Sequence, residues 1–310
     1  MADYSHTASL FPRKLGFLIL TFIHLKFIVE IRSIMYRKLL FTFLGLWCVL
    51  AYAQPVYAQS PNTACKSGSP VQQARCLLRP VGKYGLLGAE LVMLPHPMDS
   101  LVGKRVGITK SALRSWISRK GLDETGLGGS VFDPVSRDGG TGKNRLYARY
   151  FVVEDMSTPV LAQGSTFPED MDSADWPYNN LTFYPSISHV LVNRLGQSVT
   201  KVDFKQALAT TKYEDLKPER IGLMLHVALV QPRIQDEIGL DSIAPEPGFT
   251  DAQYERLAML YIVASVRKGY WLVPAFRAGV EAGIPDAHDS PQHFDLRKWA
   301  SKIGQFIQQI

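Results

Sequence analysis

Two adjacent carboxylates are the first residues in this chain whose placement could support chemistry. Glu154 and Asp155 directly follow four apolar or aromatic residues, Tyr150–Val153, which have the composition of a buried β-strand. In α/β proteins, ligands and metal ions bind at the carboxyl ends of such strands. The pattern therefore predicts either a site at these two acids or a strand that simply ends in solvated carboxylates, and the spacing fits both equally.

A long loop supplies the candidate substrate contacts. Residues 163–185 are rich in Asp, Pro, Asn and Ser, with aromatic residues interleaved among them. Loops of this length within a compact domain are often functional. Exposed rings of Trp176 and Tyr178 would suit stacking on a sugar or a peptide. The competing interpretation is that these rings hold the loop against the rest of the domain.

Other catalytic patterns are incomplete. Asp138–Asn144 contains Gly-Gly-Thr-Gly-Lys, but the leading Gly of a phosphate-binding loop is missing and Asn144 stands where Ser or Thr is needed. No G-x-S-x-G pattern marks a serine nucleophile. Cys65 and Cys76 lie eleven positions apart in a polar segment and are predicted to form a disulfide, which would remove them as nucleophiles.

The N-terminus has the features of an export signal. Met35 opens a short basic head and is the expected start, and Leu39–Leu50 is an apolar run. Small residues before Ala58 suit cleavage at that point. An uncleaved anchor over Leu15–Ile31 is the alternative, but Lys26 interrupts that run and it is short for a membrane span.

The net charge of +6 overstates how basic the rest of the chain is. Residues 1–58, taken as extension and signal peptide, hold six of the 34 Lys and Arg but only two of the 28 Asp and Glu. The remainder carries 28 basic and 26 acidic residues, a net charge of +2. That excess is too small to attract nucleic acid, which is not an expected partner.

Strands alternate with helices after residue 147, which predicts an α/β fold with a central mixed β-sheet flanked by helices. Residues 188–202 have the pattern of a β-hairpin. Thr250–Gln253 has a capping-box pattern and opens a helix that runs to Lys268 and is apolar nearly all round, as in a buried helix. A last amphipathic helix begins near Asp295.

The expected organisation has two parts after the signal. Residues 59–146 are predicted to form a small accessory region, with the disulfide and a short helix over Ser111–Lys120, packed on a main domain of residues 147–310. A further helix is predicted over Ala275–Ala282, between a short apolar run and a loop.

Five segments occur in an order that is typical of one enzyme family. They are Val152–Ser157, Ser188–Gly196, Ile221–Leu229, Phe249–Leu257 and His288–Asp295. Together they resemble the zinc-dependent N-acetylmuramoyl-L-alanine amidases, which share their fold with the peptidoglycan recognition proteins. In that family the first segment delivers a zinc-binding His, the third carries a site acid, and the last brings His and Asp ligands. The resemblance covers roughly residues 147–310.

The resemblance implies a zinc site, although the chain departs from the family at the ligands. The implied ligands are Glu154, His288 and Asp289, with His226 and His293 as alternates. Glu154, the implied catalytic residue, stands where the family has its first zinc-binding His, and a carboxylate can also bind zinc. Ala228 stands where the family has an acid that could act on zinc-bound water.

The implied activity is hydrolysis of the amide between the lactyl group of muramic acid and L-alanine in peptidoglycan, by water activated on zinc. Such a protein would be bacterial and periplasmic or secreted, and would meet the membrane only through its signal segment. The open alternative is an amidase-like domain that has lost its metal and binds peptidoglycan or a protein partner without cutting.

Overall fold

The structure is a computed structural model that describes residues 65, 67–136, 147–239 and 241–310. These residues belong to one compact unit, Gln59–Ile310. The predicted export signal and the Asp138–Asn144 segment lie outside the described residues. Within the described ranges, no helix is both long enough and apolar enough to cross a membrane.

The strands form two sheets. They are β1 (Tyr150–Asp155), β2 (Val160–Leu161), β3 (Val190–Val192), β4 (Ser198–Thr200), β5 (Met224–Leu229), β6 (Arg233–Gln235), β7 (Ser242–Ile243) and β8 (Val273–Phe276). The central sheet has the order β4-β3-β5-β1-β8, and β2-β6-β7 form a smaller one. In the central sheet β1 is parallel to β5 and β8, β3 is parallel to β5, and β4 is antiparallel to β3. The predicted class, a central mixed sheet with helices around it, is confirmed.

Helices pack around this sheet. They are α1 (Pro70–Leu77), α2 (Met98–Leu101), α3 (Lys110–Arg119), α4 (Lys212–Leu216), α5 (Asp251–Lys268), α6 (Arg277–Val280) and α7 (Leu296–Ile307). Single 3₁₀ turns cover Lys83–Gly85, Glu124–Leu127, Pro177–Asn179, Leu181–Phe183 and Pro218–Arg220. The predicted start of α5 is confirmed, because Thr250 and Gln253 form a reciprocal capping box. Gly269, with φ of +81°, ends that helix in the left-handed region.

The core lies between β1 and the long helices. Phe151 points away from the face that carries Val152, because side chains alternate along a strand. Its ring meets Tyr261 of α5 edge-on at a centroid distance of 5.3 Å and stacks on Trp299 of α7 at 6.2 Å. Contacts of this kind between buried rings stabilise by about 0.5–1.5 kcal/mol beyond the area they bury. The sheet is thereby fixed against α5 and α7.

Residues before 147 share this core. The ring of Trp116 on α3 lies 5.5 Å from that of Phe306 on α7. The Gln73 side-chain oxygen of α1 accepts a hydrogen bond from the Tyr150 hydroxyl of β1 at 2.9 Å. A disulfide joins Cys65 to Cys76 and so ties the start of the described chain to α1.

The segment after β8 differs from the prediction. A helix over Ala275–Ala282 was expected, but Val273–Phe276 forms strand β8 and only Arg277–Val280 is helical. The reason is tertiary, since Ala275 pairs with Val152 in the parallel ladder between β8 and β1. Arg277 is consequently placed at the end of a buried strand.

Residues 147–310 are expected not to fold without residues 59–146. The shorter chain would expose the apolar faces of β8 and α7 that α1 and α3 cover, because these elements belong to one continuous core. Urea unfolding followed by circular dichroism should show a cooperative transition for residues 59–310 and none for residues 147–310. A cooperative transition of the shorter chain at the same midpoint would contradict this expectation.

Candidate functional site

Three parallel strands end at one edge of the central sheet and bring charged residues together there. Glu154 near the end of β1 is level with Ala228 of β5, and Arg277 follows the last residue of β8. A pocket of about 450 Å³ opens at this edge, lined in part by Glu154, Thr210, Ala228, Arg277 and His288. The carboxyl edge of parallel strands is where α/β folds bind ligands.

Glu154 is bound by an arginine. It is only 2 % exposed, and its Oε2 accepts a hydrogen bond from Nη1 of Arg277. Arg277 also donates from Nε to Glu281 Oε1 at 3.2 Å and from Nη2 to the Thr210 carbonyl at 2.6 Å. Burial raises the pKa of Glu154, and the charge of Arg277 counteracts part of that rise. We call Glu154, Arg277 and Glu281 the Arg277 triad.

A second arginine sits between the other two acids. Arg233 of β6 is buried, and its guanidinium donates from Nη2 to Asp155 Oδ2 at 2.7 Å and from Nη1 to Asp289 Oδ2 at 2.9 Å. Gln292 also donates to Asp289. Burial raises the pKa of Asp289, with the Arg233 charge acting in the opposite direction. Asp155 and Asp289 are thus held by a guanidinium.

The implied zinc ligands do not fit a zinc ion. Zinc needs about three protein donors converging on one point, and no group of three His, Cys, Asp or Glu side chains does so in the part of the chain that the structure describes. Glu154 and Asp289 are bound to different arginines, and His288 is an exposed residue at the pocket's wall. A guanidinium cannot ligate a metal, and its charge repels one. The expected set of Glu154, His288 and Asp289 is therefore not assembled.

The alternate ligands are also engaged elsewhere. His226 of β5 is fully buried, and its Nε2 lies 3.1 Å from Glu214 Oε2 on α4. His293 lies near the surface, with Nδ1 3.9 Å from Glu246 Oε2. His226 is therefore a packed core histidine paired with Glu214, and the expectation that it is an alternate ligand is corrected.

His189 lies against His226 and is held as a neutral ring. The two rings stack at 5.6 Å, and His189 Nδ1 accepts the backbone N–H of His226 at 3.1 Å. Nε2 must then carry the hydrogen that is donated to the Gln206 carbonyl at 3.1 Å. Burial, helped by the positive charge that His226 can carry, lowers the pKa of His189 to about 3. This histidine serves packing rather than metal binding.

The two aromatic residues predicted to stack on substrate have different environments, because Trp176 is packed in the core and Tyr178 is partly exposed. Trp176 is 4 % exposed and packs with Leu191 and Ala228, so the expectation that it stacks on substrate is corrected to a packing role. Tyr178 is 38 % exposed, and its ring lies 5.1 Å from that of Trp176. Of the two predicted stacking residues, only Tyr178 presents ring surface to a ligand.

The residues that organise this edge were not singled out in the sequence. They are Arg233, Arg277, Glu214 and Glu281. The criterion that selected Glu154, a charge directly after a buried strand, would have selected Arg277 had Val273–Phe276 been recognised as a strand. The buried partners of Arg233 lie 56 and 78 residues away in the sequence, where local patterns carry no signal.

Comparisons with known proteins returned no match. No family model matches the chain, and neither a curated protein nor a solved structure matches it. Function is therefore inferred from the site's geometry and from the order of the sequence motifs.

Replacing Arg233 by Met should destabilise the protein by about 3–5 kcal/mol, because Asp155 and Asp289 would lose their shared counter-charge while Asp155 remains fully buried. Urea unfolding at pH 7 measures this change. The matched control is Arg297→Met at an exposed position of α7, which should alter stability by no more than about 0.5 kcal/mol. Equal effects of the two substitutions would contradict the assigned role of Arg233.

Stability should depend on pH through His189. Its pKa is about 3 in the folded protein, below the usual value of about 6.5 in the unfolded chain. The unfolded state therefore takes up the proton first, so stability is full above pH 6.5 and falls as the pH drops toward 3. The loss approaches about 1.4 kcal/mol per pH unit.

The variant His189→Leu isolates this effect. Its stability deficit relative to the parent protein, measured by urea unfolding, should be largest at pH 7.5 and should shrink by about 2 kcal/mol between pH 6 and pH 4.5. The exposed His96→Leu controls for the number of histidines. A deficit that stays constant with pH would contradict a neutral, proton-excluding His189.

Proposed function

We propose that this chain is an exported amidase-like domain that binds bacterial peptidoglycan without cleaving it. The proposal includes the finer fold, in which the sheet and helices have the arrangement of the amidases and peptidoglycan recognition proteins. It places the protein in the periplasm or outside the cell, with peptidoglycan as its partner and no zinc at the pocket.

One observation carries the proposal. Glu154 stands where the resemblance puts the first zinc-binding His, and the group bound to it is the guanidinium of Arg277. In a metal site, negative or neutral donors hold the metal cation. Beside Glu154 the positive charge comes instead from the side chain of Arg277. A pocket is present at the sheet edge, but the described residues offer no group of ligands that could hold a metal ion to activate water. Binding without hydrolysis is what such a site supports.

Three further features support the proposal. The five family-like segments lie in the same unit, and the first, third and last of them contribute Glu154, Ala228 and His288 to the wall of one pocket. The disulfide between Cys65 and Cys76 is typical of oxidising compartments, including the bacterial periplasm and the exterior of the cell. Tyr178 offers a half-exposed ring for stacking on sugar or peptide.

Hydrolysis of the lactyl–L-alanine amide is the competing function. It would need zinc, and so the ion pair between Glu154 and Arg277 and that between Asp289 and Arg233 would both have to open. Opening them would leave charges without partners in a buried setting, which typically costs about 3–5 kcal/mol for each pair. The binding function requires no such rearrangement.

The two functions separate in one set of measurements on the purified protein. We expect it to sediment with peptidoglycan sacculi, to retain this binding in the presence of a chelator, and to carry no stoichiometric zinc. Muropeptides incubated with the protein and added zinc should release no peptide. Tyr178→Ala should lower the affinity for sacculi by about fivefold, because roughly 1 kcal/mol of ring contact is lost. Tyr270→Ala, at another exposed tyrosine, should leave the affinity unchanged.

Stoichiometric zinc together with peptide release would overturn the proposal, provided that both are lost in His288→Ala and kept in His96→Ala. His96 is the matched control because it is a surface histidine away from the pocket's lining. Absence of sedimentation as well as of cleavage would reject peptidoglycan as the partner.

A further inference from the structure

The two carboxylate oxygens of Glu154 have different surroundings. Oε2 accepts a hydrogen bond from Arg277, whereas Oε1 is buried and has no partner at hydrogen-bond geometry among the described residues. The Ser188 hydroxyl, which is also buried without a partner among those residues, lies near enough to Glu154 to lower its pKa, but burial raises that pKa more strongly. A buried acceptor without a donor typically costs about 1–3 kcal/mol, and more when it is charged. Because Glu154 lines the pocket, a molecule bound there could supply the missing donor.

Thr210 adds a second unpartnered oxygen to the same pocket. Its Oγ1 is buried and has no hydrogen-bond partner in the described part of the chain. The Thr210 carbonyl is fixed by Arg277 Nη2 at 2.6 Å, and Arg277 also binds Glu154. One guanidinium therefore holds both residues, and each has one buried oxygen without a hydrogen-bond partner among the described residues.

The charge at this point is not balanced. Arg277 is shared between Glu154 and Glu281, so the Arg277 triad carries a net charge of −1 when both acids are ionised. Glu281 is well compensated, because its Oε1 also accepts the Lys212 backbone N–H at 2.7 Å and its Oε2 accepts that of His288 at 2.9 Å. Glu154 has fewer donors than Glu281, since besides Arg277 only His226 and the Ser188 hydroxyl act to lower its pKa.

We infer that this pocket binds a primary ammonium group, with its charge on Glu154 Oε1 and a further N–H donated to Thr210 Oγ1. An ammonium is a compact point charge with three donors, which suits two oxygens on different residues. A guanidinium pairs best with both oxygens of one carboxylate, and Arg277 already takes Oε2. Carboxylates and phosphates are disfavoured by the net negative charge of the triad.

The pocket wall also suits an aliphatic stem behind that ammonium. Met156 and Ile187 line the pocket, and Ile187 is partly exposed toward it. Long amines bury their methylenes along apolar surface while the charged end meets its partner. The ligand class is therefore an alkylammonium such as a lysine side chain, and this assignment holds whether or not the protein binds peptidoglycan.

Three capped amino acids test the assignment on the purified protein at pH 7. They are Nα-acetyl-lysine amide, the same compound acetylated at Nε, and Nα-acetyl-arginine amide, with binding followed by NMR titration or calorimetry. The lysine compound should bind at least about tenfold more tightly than either of the others. Equal binding of the Nε-acetylated compound, tighter binding of the arginine compound, or no binding of any of them would overturn the inference.

Variants locate the site. Glu154→Gln keeps the shape of the side chain but removes its charge, and it should lower affinity for the lysine compound by about tenfold or more. Glu246→Gln, at an exposed glutamate outside the pocket's lining, is the matched control and should leave affinity unchanged. If Glu154→Gln does not fold, the near-isosteric Thr210→Val takes its place and should weaken binding severalfold. Unchanged affinity in the folded variant would overturn the inference, and the outcome of sacculus sedimentation does not affect this test.

Discussion

Two arginines, Arg233 fully buried and Arg277 13 % exposed, pair with the acids at the carboxyl edge of the central sheet. Arg277 and Arg233 each lie between two carboxylates, and the four acids come from β1, the residue that ends α6, and the loop between α6 and α7. Removing a charge from water costs several kcal/mol, and a buried charge that loses its partner is strongly destabilising. Each guanidinium pairs with acids on separate segments, so these segments meet at one edge. Glu154, Asp155 and Arg277 also line the pocket.

The same pairs decide which chemistry the edge can support. In an amidase-like arrangement this edge would hold a metal cation, and its carboxylates and imidazoles would serve as ligands. Here Arg277 supplies a fixed positive charge beside Glu154, and His226 is directed to Glu214 rather than to the pocket. A fixed guanidinium beside Glu154 therefore disfavours a metal ion there, and this is the basis of the binding function that we propose.

Local sequence patterns predicted much of the fold but not the ion pairs at the candidate site. The capping box at Thr250 located the start of α5 to the residue, because a cap depends only on its neighbours along the chain. Glu154 at the end of a buried strand was also predictable. Its partner Arg277 lies 123 residues away, within the segment Ala275–Ala282 that was interpreted as a helix, so the ion pair could not be predicted. Whether a buried acid meets a metal or a guanidinium depends on such long-range pairing.

A crystal soaked in zinc chloride and measured at the zinc absorption edge shows whether a metal ion can displace Arg277 from Glu154. We expect no anomalous peak beside Glu154, with the Arg277 guanidinium still in contact with Glu154 Oε2. A zinc peak within ligand distance of about 2.0–2.2 Å from a Glu154 oxygen, with Arg277 displaced, would contradict it.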